Sequence, residues 1–180
     1  MPVYVAILRG INVSGHNMIK MDKLLDLFQH LRFSNVSTYI QSGNVIFQDK
    51  STDPKELEKK IVRKIEQEFG FAVPVLVKDK SELVEISKHN PFVRRKEDNA
   101  YLHVTFLSED PEKASVEKIV QGIYGKDEFI ISGKTIYLFC PNGYGNTKLS
   151  NHFFENKLKV VATTRNWKSV NELVRMAESL

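Results

Sequence analysis

The chain is poor in cysteine: Cys140 stands alone among 180 residues, so no intrachain disulfide can form. A single thiol with five scattered histidines offers no ligand spacing for zinc or an iron–sulfur cluster, and no metal site is expected. No apolar run approaches the ~18 residues of a membrane span, and Met1 to Leu8 is too short and uncharged for a secretory leader. The expected setting is therefore a reducing cytoplasm, with no membrane partner. A Gly-x-Gly-x-x-Gly fingerprint, a P-loop and a Gly-x-Ser-x-Gly elbow are all missing. No cofactor is expected, and the inventory for catalysis is thin, with His16 the one candidate base.

Dense basic tracts are missing as well. The net charge of +4 is spread over mildly basic ends and a mildly acidic middle, which is compatible with an anionic partner without marking a dedicated nucleic-acid binder. What is present, 42% hydrophobic and 27% charged residues, is the composition of a globular fold that stands without staples.

Along the chain the periodicity alternates between strand and helix. Pro2 to Leu8 reads as a strand, and Met21, Leu24, Leu25, Phe28 and Leu31 fall at helical spacing. Val36 to Gln41 and Val45 to Gln48 flank a Ser42-Gly43-Asn44 turn. Asp53-Pro54 opens a helix with Leu57, Ile61, Ile65 and Phe69 on one side, and Gly70 stops it. Val73 to Val77 completes a β-α-β-β-α-β order. A helix from Ser81 to Lys88, capped by Asp79 with Glu82 reaching back, then leads to a second round.

That round comprises a strand at Tyr101 to Leu107, a helix opened by Asp110-Pro111, and strands at Glu128 to Ile131 and Thr135 to Cys140. A helix at Leu149 to Lys157, a short strand near Val160-Val161 and a last helix from about Arg165 follow. The expected fold class is α+β, with two ferredoxin-like (βαββαβ) units in tandem, at 1–78 and 100–180, joined by residues 79–99. The two hairpins align on Ser42-Gly43 and Ser132-Gly133.

The copies differ after their first strands. Only the first carries the polar insertion Arg9-Gly10-Ile11-Asn12-Val13-Ser14-Gly15-His16-Asn17. Arg9 brings a bidentate fork, Gly10 and Gly15 permit close backbone approach, and Asn12 and Ser14 add polar groups, a set suited to an anion. The alternative is an Ω-like loop whose polar side chains satisfy its own backbone. Ser42 and Asn44 join the candidates from the hairpin turn. Lys148, at the end of the Gly-rich stretch from Pro141, is a possible anion contact or part of a plain connector. Thr164, Arg165 and Asn166 are read as the capped start of the last helix, where a cation at the positive dipole end invites an anion.

Arg9-Gly10-Ile11-Asn12-Val13, Thr38-Tyr39-Ile40-Gln41-Ser42-Gly43-Asn44-Val45, Asn90-Pro91-Phe92 and Ala162-Thr163-Thr164-Arg165-Asn166-Trp167 resemble the signature segments of the bacterial domain of unknown function 1697 family. The resemblance implies a two-part α+β fold related to ferredoxin-like units, and transfers no activity, cofactor or catalytic residue. The family pattern has Gly-Gly where this chain has Ser14-Gly15.

Three functions remain open on the sequence. The leading one is a binding module for a phosphate-bearing small molecule or nucleic acid. Another, by fold analogy with acylphosphatase-like proteins, is a small hydrolase or transferase acting on an anionic substrate, with Arg9 holding the anion and Asn12 or Asn44 placing water. The last is a scaffold that recruits a protein partner through an apolar patch or sheet edge. The oligomeric state is not readable from the chain.

Overall fold

A computed structural model describes residues 1–180. The chain divides into two units, Met1–Glu85 with Glu172–Leu180, and Ile86–Asn171. No helix is long and apolar enough to cross a membrane.

The first unit runs β1 (Val3–Leu8), α1 (Met21–His30), β2 (Ser34–Thr38), β3 (Asn44–Gln48), α2 (Pro54–Phe69) and β4 (Val75–Asp79). Its sheet is four-stranded and antiparallel, in the order β2-β3-β1-β4. β1 is buried at every position, which is why it reads as a continuous apolar run rather than an alternation. Tyr4, Ala6 and Leu8 join Leu24, Phe28, Phe47, Leu57 and Ile61 in one core. There Phe33 stacks on Phe47 at 4.5 Å and Phe28 meets Phe47 edge-on at 5.4 Å, contacts that add to the burial of each ring. α2 is bounded as its sequence dictates. Asp53 accepts from the Lys55 N–H, Pro54 fills the first turn, and Gly70 closes the helix in the left-handed region.

β4 passes into α3 (Lys80–Lys88) with no intervening loop. Asp79, the last residue of the strand, caps the helix by accepting from the Glu82 N–H at 2.9 Å. The expected return bond from Glu82 is replaced, because its carboxylate takes the buried Lys78 ammonium at 2.8 Å.

The second unit holds α4 (Pro91–Arg94), β5 (Leu102–Leu107), α5 (Lys113–Val120), β6 (Glu128–Ser132), β7 (Thr135–Phe139), α6 (Asn151–Leu158) and β8 (Ala162–Asn166), followed by α7 (Trp167–Glu178). Its sheet order, β6-β7-β5-β8, is again fully antiparallel and repeats that of the first. The repeat extends to single bonds. Leu8 N–H donates to Gly43 C=O at 2.9 Å and Arg9 N–H to Pro74 C=O at 2.9 Å, while Leu107 donates to Lys134 at 2.8 Å and Ser108 to Val161 at 2.9 Å. In that frame Lys78 and Arg165 correspond, as do the capping residues Asp79 and Asn166. Lys78 and Arg165 are both buried cations, and the Asn166 carboxamide accepts from Ser169 N–H at 2.8 Å as α7 leaves β8 without a loop. α3, placed in a connector by its sequence, thus follows β4 as α7 follows β8.

Several expectations are corrected. The last strand is not at Val160-Val161. It is Ala162–Asn166, so Thr164, Arg165 and Asn166 lie in β8, and the helix begins at Trp167. Pairing Thr163 with Phe106 and Arg165 with Val104 outweighs the polarity of the segment. α5 starts at Lys113 rather than at Asp110-Pro111, without a side-chain cap. β4 begins two residues later than read. The hairpins do not align on Ser-Gly: the bond frame sets Gly43 against Lys134, and the first turn spans 40–43 where the second spans only 133–134. The alternation of His103 and Thr105 with Val104 and Phe106 suggests a face buried against the other copy, but the unit's own α6 covers it, through Thr105, Thr164 and Asn151.

Gly43 has no room for a side chain. A Cβ there would sit 2.7 Å from Ile11 Cδ1 and 2.9 Å from Leu8 Cβ, at a φ of +89°. Gly43→Ala is expected to cost about 2 kcal/mol or more, read as a lower urea midpoint at unchanged m-value.

Candidate functional site

The bond frame closes at Arg9, and from there the two units diverge. The second proceeds through Ser108–Glu112 straight to α5. The first inserts a small hairpin between Arg9 and Lys20. Its feet are Ile11 and Ile19, both buried in the core. Asn12 N–H bonds Asn17 C=O at 3.2 Å and His16 N–H bonds Val13 C=O at 2.9 Å. At the tip Ser14 and Gly15 both have positive φ, 50° and 77°, the signature of a type I′ turn.

Asn12 holds this hairpin in place. Its Nδ2 donates to Ile19 C=O at 2.9 Å and to Gln41 C=O at 2.8 Å, while its Oδ1 accepts from Ile19 N–H at 2.7 Å. Asn17 Nδ2 reaches Gly10 C=O at 3.3 Å. The fully buried Asn44 donates to Tyr39 C=O at 2.9 Å and Ser42 Oγ at 3.1 Å. The hairpin and the 39–44 turn are therefore one assembly, with Arg9, Gly10, Asn12, Ser14, Gly15, Ser42 and Asn44 brought together. The amide donors of Asn12 and Asn44, read from sequence as free for a ligand or a water, are spent on main-chain and side-chain oxygens of the chain.

What the assembly presents outward is different. The N–H groups of Ser14 and Gly15 have no acceptor in the chain. Arg9 is half-buried at the base, His16 and Lys20 are exposed, and no acid occurs between residues 9 and 20. Val13 and Met18 add exposed apolar surface, as does Ile40, a β-branched residue with φ of 48°, a backbone state such residues rarely take.

In the second unit Lys148 is exposed in the segment ahead of α6, whose cap is Ser150, accepting from Phe153 N–H at 3.2 Å. Thr164 Oγ bonds Thr105 Oγ at 2.7 Å and Asn151 Oδ1 at 2.6 Å. Arg165 is buried and donates to Thr163 Oγ and Thr164 C=O, each at 2.9 Å. None of these residues is at an open helix start. The ring of His103 on β5 stacks on Tyr144 at 4.7 Å. Burial pushes the His103 imidazole below its ordinary value, with the Tyr101 backbone opposing. Burial also pushes the Cys140 thiol up to about 11, leaving it protonated and unreactive near neutral pH.

Two outcomes follow. Asn12→Ala removes three bonds and is expected to cost about 2–3 kcal/mol, measured by chemical denaturation. Because folded His103 refuses a proton that the unfolded chain accepts, stability should fall as pH drops below about 6.5. His103→Phe should flatten that part of a melting-temperature profile; an unchanged slope would assign the acid sensitivity elsewhere.

Comparison with known proteins adds the following. A solved structure described as the conserved bacterial protein SP0830 from Streptococcus pneumoniae superposes with a TM-score of 0.71 at 21% identity, covering 98% of each chain, a likeness of fold. No curated protein matches the chain. The sequence model for the protein of unknown function DUF1697 matches residues 1–137. With most of both sheets inside that match, the chain belongs to the DUF1697 family.

Proposed function

We propose that each half is a ferredoxin-like unit and that the chain is a cytoplasmic binding module for a phosphate-bearing small molecule or nucleic acid. The strand orders β2-β3-β1-β4 and β6-β7-β5-β8 support the first part. In this reading the copies occupy 1–78 and 100–180, and α3 belongs to the first copy as a trailing helix.

One observation carries the binding reading. Of two units built on the same hydrogen-bond frame, only the first carries this hairpin, whose tip N–H groups are unspent and along which no acidic residue occurs. Adjacent main-chain donors in a tight turn, with guanidinium and imidazole nearby, match the oxygens of a phosphate. Ser14 and Gly15 would donate, and Arg9 and Lys20 would supply charge. The hydrolase reading draws no support here, because it needs amide donors that Asn12 and Asn44 have already used.

Thermal shift with inorganic phosphate, nucleotides and a short oligonucleotide tests this. A ligand at 100 times its Kd should add about 2.7 kcal/mol. Ser14→Asp, which places a like charge at the exposed tip, should weaken binding ~10-fold or more, as should Arg9→Ala. An oligonucleotide ligand should also lose affinity steeply with salt. No stabilisation by any phosphate compound, or full affinity in Ser14→Asp, overturns the proposal.

A further inference from the structure

Four strands form the outer edges of the two sheets, and three of them carry a feature that obstructs further pairing. On β4 the outward N–H of Val77 is taken by Glu58 of α2 at 2.9 Å. On β8 the outward N–H of Ala162 is taken by Glu155 of α6 at 3.1 Å, the same device in the second unit. β2 is broken by a bulge between Ser34 and Ser37, with Asn35 at a φ of 50°. Each is a recognised way of blunting an edge.

β6 has none of these. It pairs with β7 in unbroken register from Glu128 to Ser132 and contains neither proline nor lysine. The two-residue turn makes Ser132 and Thr135 a hydrogen-bonded pair, so Glu128, Ile130 and Ser132 direct their main-chain groups at β7. Phe129 and Ile131 direct theirs outward, where nothing in the chain receives them. Arg95 holds Glu128, the first residue of the strand, through two bonds at 2.9 and 3.0 Å. Ile130 is 40% exposed on this edge, and Ile123, 91% exposed, stands at a groove that begins at Phe129 and Glu128.

We propose that β6 is a docking edge and that its occupant is β6 of a second copy of this chain. The strand is complementary to itself about Ile130. An antiparallel twofold pairing centred there lets Phe129 and Ile131 of each copy exchange four main-chain bonds, which consumes every outward group of the strand. Ile130 then faces Ile130 at the close, non-hydrogen-bonded spacing, and Glu128 faces Ser132, so no like charges oppose one another within the strand. The result is one continuous eight-stranded sheet built from two second units, by the main-chain recognition that edge strands offer.

Light scattering on the full chain from micromolar to millimolar concentration should show the mass rise from one chain toward two. Amide exchange read by residue should then slow with concentration at Phe129 and Ile131, while Ile130 and Ser132, bonded to β7, stay slow throughout. Ile130→Lys puts a charge opposite its own copy at an exposed position, and should weaken the dimer ~10-fold or more with circular dichroism and melting temperature of the monomer unchanged. A chain that stays monomeric at millimolar concentration overturns the proposal. So does a dimer in which Phe129 and Ile131 still exchange quickly, or one that Ile130→Lys leaves intact; either places the contact on another surface.

Discussion

A strand buried on both faces has no water to turn to, and each of its N–H and C=O groups must find a partner in a neighbouring strand. β1 and β5 are such strands, and most of the architecture follows from serving them. β3 and β4 flank the first, β7 and β8 the second, and the last donors are caught by loop carbonyls at Gly43, Pro74, Lys134 and Val161. Leu8 and Arg9, or Leu107 and Ser108, are thus fixed to within a hydrogen bond before the chain is free to vary. The insertion that distinguishes the first unit begins at the first residue beyond this obligation.

The sequence was most legible where local chemistry decides the outcome. Asp53, Pro54 and Gly70 bound α2 as their caps require, and the apolar run of β1 and the Met21 helix fall where periodicity puts them. It was least legible where tertiary pairing overrides local preference. Thr163-Thr164-Arg165-Asn166 has too little hydrophobicity to read as a strand, yet it is the edge that β5 needs, and the apolar Val160-Val161 just before it drew the strand two residues early. Likewise Asp110-Pro111 carries the signals of a helix start, but the helix waits until Lys113.

The candidate site shows the same division. Position and polarity marked the Arg9 to Asn17 segment as a candidate, but a list of residue types cannot tell a donor offered to a ligand from one spent on the fold. Asn12 and Asn44 are spent. The groups left over are main-chain N–H groups at Ser14 and Gly15, which carry no signature in composition at all. Edge protection is equally silent. Glu58 and Glu155 look like ordinary helical acids, and only the structure shows each of them taking an outward N–H of an edge strand.

The closed frame at the end of each central strand also separates folding from variation. From Ser108 the second unit crosses to α5 by a five-residue link, Ser108 to Glu112, on the same foundation that carries the Ile11–Ile19 hairpin in the first. A segment added at that point would disturb no ladder bond, and the entropy of closing a longer loop grows only slowly with its length. The link from Ser108 to Glu112 is therefore a natural grafting position, where new recognition could be tried by lineage or by design while the sheet beneath is left alone.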